Sequence, residues 1–333
     1  MRSESVLIVG GAGYIGSHVA KAAAIAGYEP IVLDNLSAGH RWAVRWGPLV
    51  HADCRDHDAV ARTIRIYRPH TVVHLAGRTS VAESMRAPDR YYEENLCGSL
   101  ALLRAMIESD CRNIVFSSTA AVYGEPLQLP VAESHPLQPC SPYGETKLAV
   151  ERAIAWHARA YGIRYAILRY FNAAGADPDG EVGEDHTPET HLVPLAILAA
   201  LGRGDPLRIF GSHYPTADGT AIRDFVHVTD LAAAHVAGIR HLLAGGSDVS
   251  VNVGTGTGAS IMDVLAVVGD VVGRPVPYET VEARGGDPAI LIAGGDLIRS
   301  RLAWTPRFSR LSEIVRSAAA WHTSRAKTII TLS

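Results

Sequence analysis

The run Gly10-Gly11-Ala12-Gly13-Tyr14-Ile15-Gly16, placed straight after the apolar stretch Val6-Leu7-Ile8-Val9, constrains this chain more than any other feature. Glycines there permit a tight turn and let backbone N–H groups approach a pyrophosphate, whose charge the N-terminus of a following helix favours. A lone G-x-G-x-x-G carries little weight. Here an apolar strand precedes it, a helix is expected over residues 17–26, and an acid, Asp34, closes the second strand. The pattern predicts a dinucleotide site with Asp34 on the adenosine ribose. No arginine directly follows Asp34, so NAD is expected rather than NADP.

The alternation of strand and helix continues down the chain. Strands are expected over 30–33, 49–51, 71–75, 113–117 and 165–169, and helices over 59–67, 90–109 and 143–161. VLIV, TVVHL and NIVF are continuous apolar runs, as in parallel strands buried on both faces. The predicted fold class is α/β, a Rossmann-type doubly wound parallel sheet with a smaller α+β substrate-binding domain. Residues 1–175 are assigned to the first domain and 176–325 to the second, with some later segments returning to the first. Residues 176–191 are polar, acidic and rich in Pro and Gly, and read as a long inter-domain loop, a lid over a cleft. One more strand and helix are expected at 251–253 and 260–269. The second glycine cluster, Gly254 to Gly258, reads as a structural turn with Ser260 capping the next helix. The tail after His322 is expected to fray.

Composition excludes several classes. With 47% hydrophobic residues among 333, the chain can bury a core and is not a disordered or fibrous chain. A net charge of -3 gives no electrostatic case for nucleic acid. No apolar run approaches the roughly 20 residues of a membrane span. Residues 1–16 fail as a signal peptide because Glu4 and four glycines interrupt them. The four cysteines (Cys54, Cys97, Cys111, Cys140) contain no C-x-x-C pair and read as reduced thiols of a cytoplasmic protein. Fifteen histidines show neither H-E-x-x-H nor paired Cys/His spacing, so no metal is expected.

Lysine is scarce, occurring only at Lys21, Lys147 and Lys327. Lys147 stands four residues after Tyr143, so both side chains fall on one face of a helix that Ser141 caps and Pro142 opens. Tyrosine, with a reference pKa near 10, is a poor base at neutral pH. A cation about 4 Å away contributes roughly 4 kcal/mol at an effective dielectric near 20, about three pKa units. Lys147 is therefore expected to help make Tyr143 a base for a sugar hydroxyl. Ser117-Ser118-Thr119 closes the fifth strand, where doubly wound sheets bind ligands, and Thr119 is placed to relay a proton to Tyr143.

Together these motifs resemble the extended short-chain dehydrogenase/reductase superfamily. Within it the chain resembles the UDP-galactose (UDP-glucose) 4-epimerases over almost its whole length. The carriers are GGAGYIGSH, LDNLS, FSSTAAVYG, SPYGETK and LRYFNAAGADPDGEVGED, then PETHLVP, the specific YPTADGTAIRDFVHV segment, and RGGDPA. The resemblance implies a homodimer acting on a UDP-sugar with NAD. It implies Thr119, Tyr143 and Lys147 as catalytic residues. It places Gly10, Gly13, Tyr14, Ile15, Gly16, Asp34, Asn35, Asp53, Cys54, Leu75, Ala76, Gly77, Asn95, Ser117, Tyr143, Lys147 and Tyr170 at the cofactor. The UDP-sugar falls to Thr119, Tyr143, Asn172, His191, Leu192, Arg208, Phe210, Arg223, Arg284, Asp287 and Leu291. Guanidinium forks suit a diphosphate. Leu291 would set the room left for the sugar's C2 substituent. For the dimer, Leu96, Leu100 and Leu103 form an apolar stripe that would face the partner.

The chain departs from the family pattern at Thr79, where many relatives carry a lysine near the cofactor phosphates; Arg78 stands beside it. Ala120 and Ala121 follow Thr119 where 4,6-dehydratases place an acid pair, which disfavours elimination chemistry. Epimerisation of an N-acetylhexosamine or pentose derivative, and a silent NAD-binding sensor, stay open as alternatives.

Overall fold

Apolar strands buried on both faces build the sheet. The structure, a computed structural model, describes residues 4–283 and 287–330. β1 (Ser5–Val9), β2 (Glu29–Asp34), β3 (Leu49–His51), β4 (Thr71–His74), β5 (Asn113–Thr119) and β6 (Arg164–Tyr170) run parallel in the order 3-2-1-4-5-6. Val6 and Ile8 of β1 point into one apolar layer, Leu7 and Val9 into the other, and all four are fully buried. Strands covered on both faces need helices on both, and the expected doubly wound architecture is what forms. The strand order reverses between β1 and β4, which opens a crevice at their carboxyl ends.

The second half of the chain is shared between two places. β7 (Asn172–Ala174), β9 (Ile222–His227), β11 (Gly258–Ser260) and β13 (Ile290–Leu291) make a small sheet centred on β9. β8 (Leu207–Phe210) pairs with β12 (Tyr278–Val281). β10 (Val249–Val253) instead joins the large sheet as its seventh strand, parallel to β6. The Val228–Leu243 helix before it packs on the Tyr14–Ile25 helix. Later segments thus return to the first sheet.

Three expectations need correction. The 90–109 helix is a helical run from Pro88 to Glu108 interrupted by a π-turn at Tyr92–Cys97. Nor does the leucine stripe face outward as a unit: Leu103 enters the chain's own core, Leu96 packs against it and only Leu100 is exposed. Residues 176–191 are no free lid. Lys21 binds Asp177, Asp179 and Glu181, and the Trp321 indole N–H donates to the Glu184 carbonyl at 2.8 Å. Finally, the Leu311–Ile330 helix runs on past His322. Ser260 behaves as expected, with a reciprocal capping box to Asp263.

Candidate active site

The dinucleotide loop is shaped for close approach. Gly10 lies at φ +85°, and a Cβ there would stand 2.6 Å from the Ala76 nitrogen; one at Gly16 would stand 2.1 Å from the Gly10 carbonyl oxygen. Gly13 caps the Tyr14–Ile25 helix without any side-chain hydrogen bond, leaving the first backbone N–H groups to an incoming anion. Asp34 accepts from Ala12 N at 3.0 Å and Leu36 N at 2.7 Å, and burial raises its pKa above the usual carboxylate value. Asn35 donates to Asp53, which the Arg55 guanidinium holds well below the usual carboxylate range. These residues fit a dinucleotide's pyrophosphate and ribose. The Tyr14 side chain is spent elsewhere, donating to the Gly175 carbonyl at 2.6 Å, so only its backbone serves the loop.

Asn95, in the π-turn, shapes the opposite wall. Its side chain accepts from Arg78 N at 2.7 Å and donates to the Arg78 carbonyl, fixing the stretch after Leu75, Ala76 and Gly77. Cys54 is half-buried nearby, 3.0 Å from where a Cβ on Gly98 would stand. Arg78 does not turn inward to replace the lysine missing at Thr79: its guanidinium binds Glu94 at 2.8 Å and Glu83 at 3.0 Å.

Tyr143, Lys147 and Thr119 meet where β5 ends. Ser141 and Pro142 start the Pro142–Tyr161 helix as expected, the Ser141 hydroxyl accepting from Gly144 N at 3.2 Å. Lys147 Nζ donates to the Ser117 carbonyl at 2.9 Å and lies 5.0 Å over the Phe116 ring. Burial lowers its pKa to about 8, with Glu151 opposing. The Ser117 hydroxyl is held by His235 Nε2 at 2.7 Å, and the Tyr170 ring lies against His235. Tyr143 is buried edge-on to Tyr91, with its phenol hydrogen-bonded to Thr119. The Tyr143 pKa moves up rather than down, because burial outweighs the Thr119 contact.

Among the residues the resemblance assigns to the substrate, Arg223 of β9 stands in register with Leu291 of β13. Burial lowers the Arg223 pKa, and its guanidinium makes no ion pair among the described residues, facing Asp287, Tyr214 and Glu125 at longer range. A desolvated cation of this kind suits a diphosphate. Arg208 is exposed, pairs with Glu279 at 3.3 Å and lies 5.8 Å over the Phe210 ring. Asn172 is exposed at the start of β7, and Leu192 opens the Leu192–Ala200 helix. Leu291 is 8% exposed and packs with Ala120, Leu148 and Phe171. His191 turns its Nδ1 toward Glu184 and Glu189. Arg284 lies outside the described residues.

Sequence reasoning missed a buried network beneath the site. Glu151 takes the Ser118 hydroxyl and a forked contact from Arg169, which also reaches the Tyr123 hydroxyl; Tyr123 donates to Asn252 of β10 at 2.6 Å. The available signal was Glu151 itself, one turn beyond Lys147.

A strand-closing threonine, with a tyrosine and a lysine on the Pro142–Tyr161 helix, beside a dinucleotide loop defines an NAD-linked oxidoreductase-type fold put to work on a sugar nucleotide. The chain belongs to the NAD dependent epimerase/dehydratase family, which residues 6–254 match. It is 47% identical over 322 residues to the UDP-glucose 4-epimerase of Rhizobium leguminosarum bv. trifolii, covering 97% of this chain and 98% of that one. It is 46% identical over 318 residues to the UDP-glucose 4-epimerase of Halalkalibacterium halodurans, covering 96% and 95%. The crystal structure of the Brucella ovis UDP-glucose 4-epimerase in complex with NAD superposes with a TM-score of 0.93 at 47% identity, covering 96% and 98%.

Proposed function

We propose that this chain is a UDP-glucose 4-epimerase, interconverting UDP-glucose and UDP-galactose with NAD. The observation that carries the reading is the meeting of Tyr143, Thr119 and Lys147 at the carboxyl end of β5, with Ala120 and Ala121 in place of proton-transferring acids. The near full-length likeness to curated UDP-glucose 4-epimerases supports it. Gly10, Gly13, Ile15, Gly16, Asp34 and Lys147 would hold NAD. Bound NAD supplies reversible hydride exchange at the sugar's C4 carbon, and its positive ring favours the phenolate of Tyr143.

The chain's own residues handle the proton and the positioning. Tyr143 takes the proton of the C4 hydroxyl, directly or through Thr119, and later gives it back. Arg223, with Asp287 and Arg284, anchors the UDP end. Anchoring remote from the ring leaves the 4-keto sugar free to turn over inside the site. Leu291 borders the sugar only through a small exposed edge, and an apolar wall discriminates by roughly 1–3 kcal/mol. Plain hexoses are thus the main substrates and N-acetylated ones minor. We also read the chain as a homodimer of a reducing compartment such as the cytoplasm. Exposed Tyr92, Leu100 and Trp156 supply an apolar face, the four cysteines are free thiols, and no helix among the described residues is long and apolar enough to cross a membrane. Light scattering that gives a monomer mass would remove the dimer.

Incubating the purified protein with a panel of UDP-sugars and following products by NMR tests the function. Interconversion of UDP-glucose and UDP-galactose is expected; absence of turnover, with NAD bound, would leave the sensor reading.

A further inference from the structure

The stretch after Gly183 carries the Glu-x-His pattern twice, Glu184-Asp185-His186 and Glu189-Thr190-His191, five residues apart. Folding brings one donor atom from each of Glu184, His186, Glu189 and His191 within 4.8 Å of all the others. Glu184 Oε1 lies 2.5 Å from His191 Nδ1 and 3.2 Å from His186 Nδ1; Glu189 Oε1 lies 3.4 and 3.8 Å from the same two nitrogens. Metal bonds of about 2.0–2.1 Å in a tetrahedron put neighbouring donors roughly 3.4 Å apart, within that spread.

The second observation is that three of the four donor atoms lack a directed hydrogen bond, whereas the fourth, Glu189 Oε1, accepts from Thr190 N at 2.7 Å and His191 N at 2.9 Å. Glu184 is 3% exposed, yet its Oε1 makes no hydrogen bond of acceptable geometry, and neither does His186 Nδ1 or His191 Nδ1. A carboxylate buried to this degree is normally satisfied by directed N–H donors. The neighbouring acids Asp177, Asp179 and Glu181 are different, because the Lys21 ammonium already fills their centre.

We infer that Glu184, His186, Glu189 and His191 form a binding site for a divalent transition-metal ion, zinc foremost. Two imidazole nitrogens and two carboxylate oxygens are a borderline donor set suited to zinc. Four protein donors close the coordination sphere, which makes the site structural rather than catalytic. Its position suits a staple. His191 precedes the Leu192–Ala200 helix, Trp321 holds the Glu184 carbonyl, and the Tyr14 ring stands edge-on to His186 at 6.3 Å. An ion here locks residues 184–191, which lead into the Leu192–Ala200 helix, into one closed turn beside the Tyr14 ring at the start of the dinucleotide-binding helix, whatever sugar the enzyme takes.

Untagged protein, purified without chelator, is analysed for metal by mass spectrometry, then stripped with EDTA and titrated with cobalt(II) alone. About one equivalent of zinc per chain is expected, together with the intense visible bands of tetrahedral cobalt, abolished by added zinc. Glu184→Gln and His186→Ala should lose both signals. The inference is overturned if wild type carries no stoichiometric metal and gives only the pale octahedral spectrum. It is equally overturned if folded Glu184→Gln protein binds cobalt as wild type does. Should both variants fail to fold, the wild-type spectrum decides alone.

Discussion

Lys21 and Lys147 are both buried, yet the regions around them are opposites. Lys21, on the first helix, sits among Asp177, Asp179 and Glu181 at 2.7–2.8 Å, and those carboxylates push its pKa up. Lys147 has a backbone carbonyl and an aromatic face; Glu151, one turn along, is occupied by Arg169. Its pKa falls to about 8. The same side chain is glue in one place and a poised cation in the other. Burial alone therefore does not mark a functional lysine; burial without a carboxylate of its own does.

The largest way to break the comparison is at the poised end. Tyr143→Phe should cost at least roughly 10²-fold in kcat, the scale of a positioned general base. Stopped or steady-state assays on UDP-galactose would show it, and near-normal turnover would mean another group moves the proton. Lys21→Met should act on stability instead, because three carboxylates lose their cation. Urea denaturation should show a loss of about 2 kcal/mol, with turnover per folded molecule little changed. A variant as stable as wild type would show that the acid nest is merely a solvated surface.

A smaller effect sharpens the contrast through pH. Lys147 binds its proton less tightly folded than unfolded, so between about pH 8 and the unfolded value of 10.5 the unfolded chain holds more protons. Stability of wild type relative to Lys147→Met should therefore rise with pH across that window and be flat below it. Lys21 has the opposite sign: its raised pKa makes its contribution fully present below 10.5 and lost only at higher pH. Wild type relative to Lys21→Met should be flat from pH 8 to 10. Parallel curves for the two variants would dissolve the distinction.

The smallest prediction concerns sugar choice. Leu291→Ser should raise the ratio of N-acetylated to plain sugar turnover, by up to about 10-fold, while Leu291→Tyr overpacks the Phe171 cluster and lowers stability by roughly 1–3 kcal/mol. An unchanged ratio in Leu291→Ser would mark Leu291 as core alone.

What could be read from sequence follows the physics that sequence encodes locally. β1, β4 and β5 are legible because strands buried on both faces must be apolar throughout, and Ser141-Pro142 announces a helix start by cap chemistry. The Tyr143–Lys147 pair is legible by helical spacing. The direction of the Tyr143 pKa was not, since it depends on how deeply the folded chain buries the phenol. The π-turn at Tyr92–Cys97 escaped because a 3.6-residue period gives no sign of one added residue. The segment 176–191 misled because polar composition reports average exposure, whereas Asp177, paired with Lys21, and Glu184 are buried in spite of it. The doubled Glu-x-His triplet matched no familiar zinc template.

The return of β10 to the large sheet has a consequence for the order in which the chain is made. A ribosome releases β6 long before β10 and the Val228–Leu243 helix, so a nascent chain near residue 175 presents β6 as an open edge. Leu231, Ala234 and Ile239, which share a core cluster with Val6, Ile8 and Val19, do not yet exist at that moment. The nucleotide-binding half is thus no self-sufficient module: expressed alone it carries an unguarded apolar strand edge and a half-covered core, a template for aggregation. Separating cofactor binding from sugar binding by cutting the gene is closed to this fold; the late strand makes the first half wait for the second.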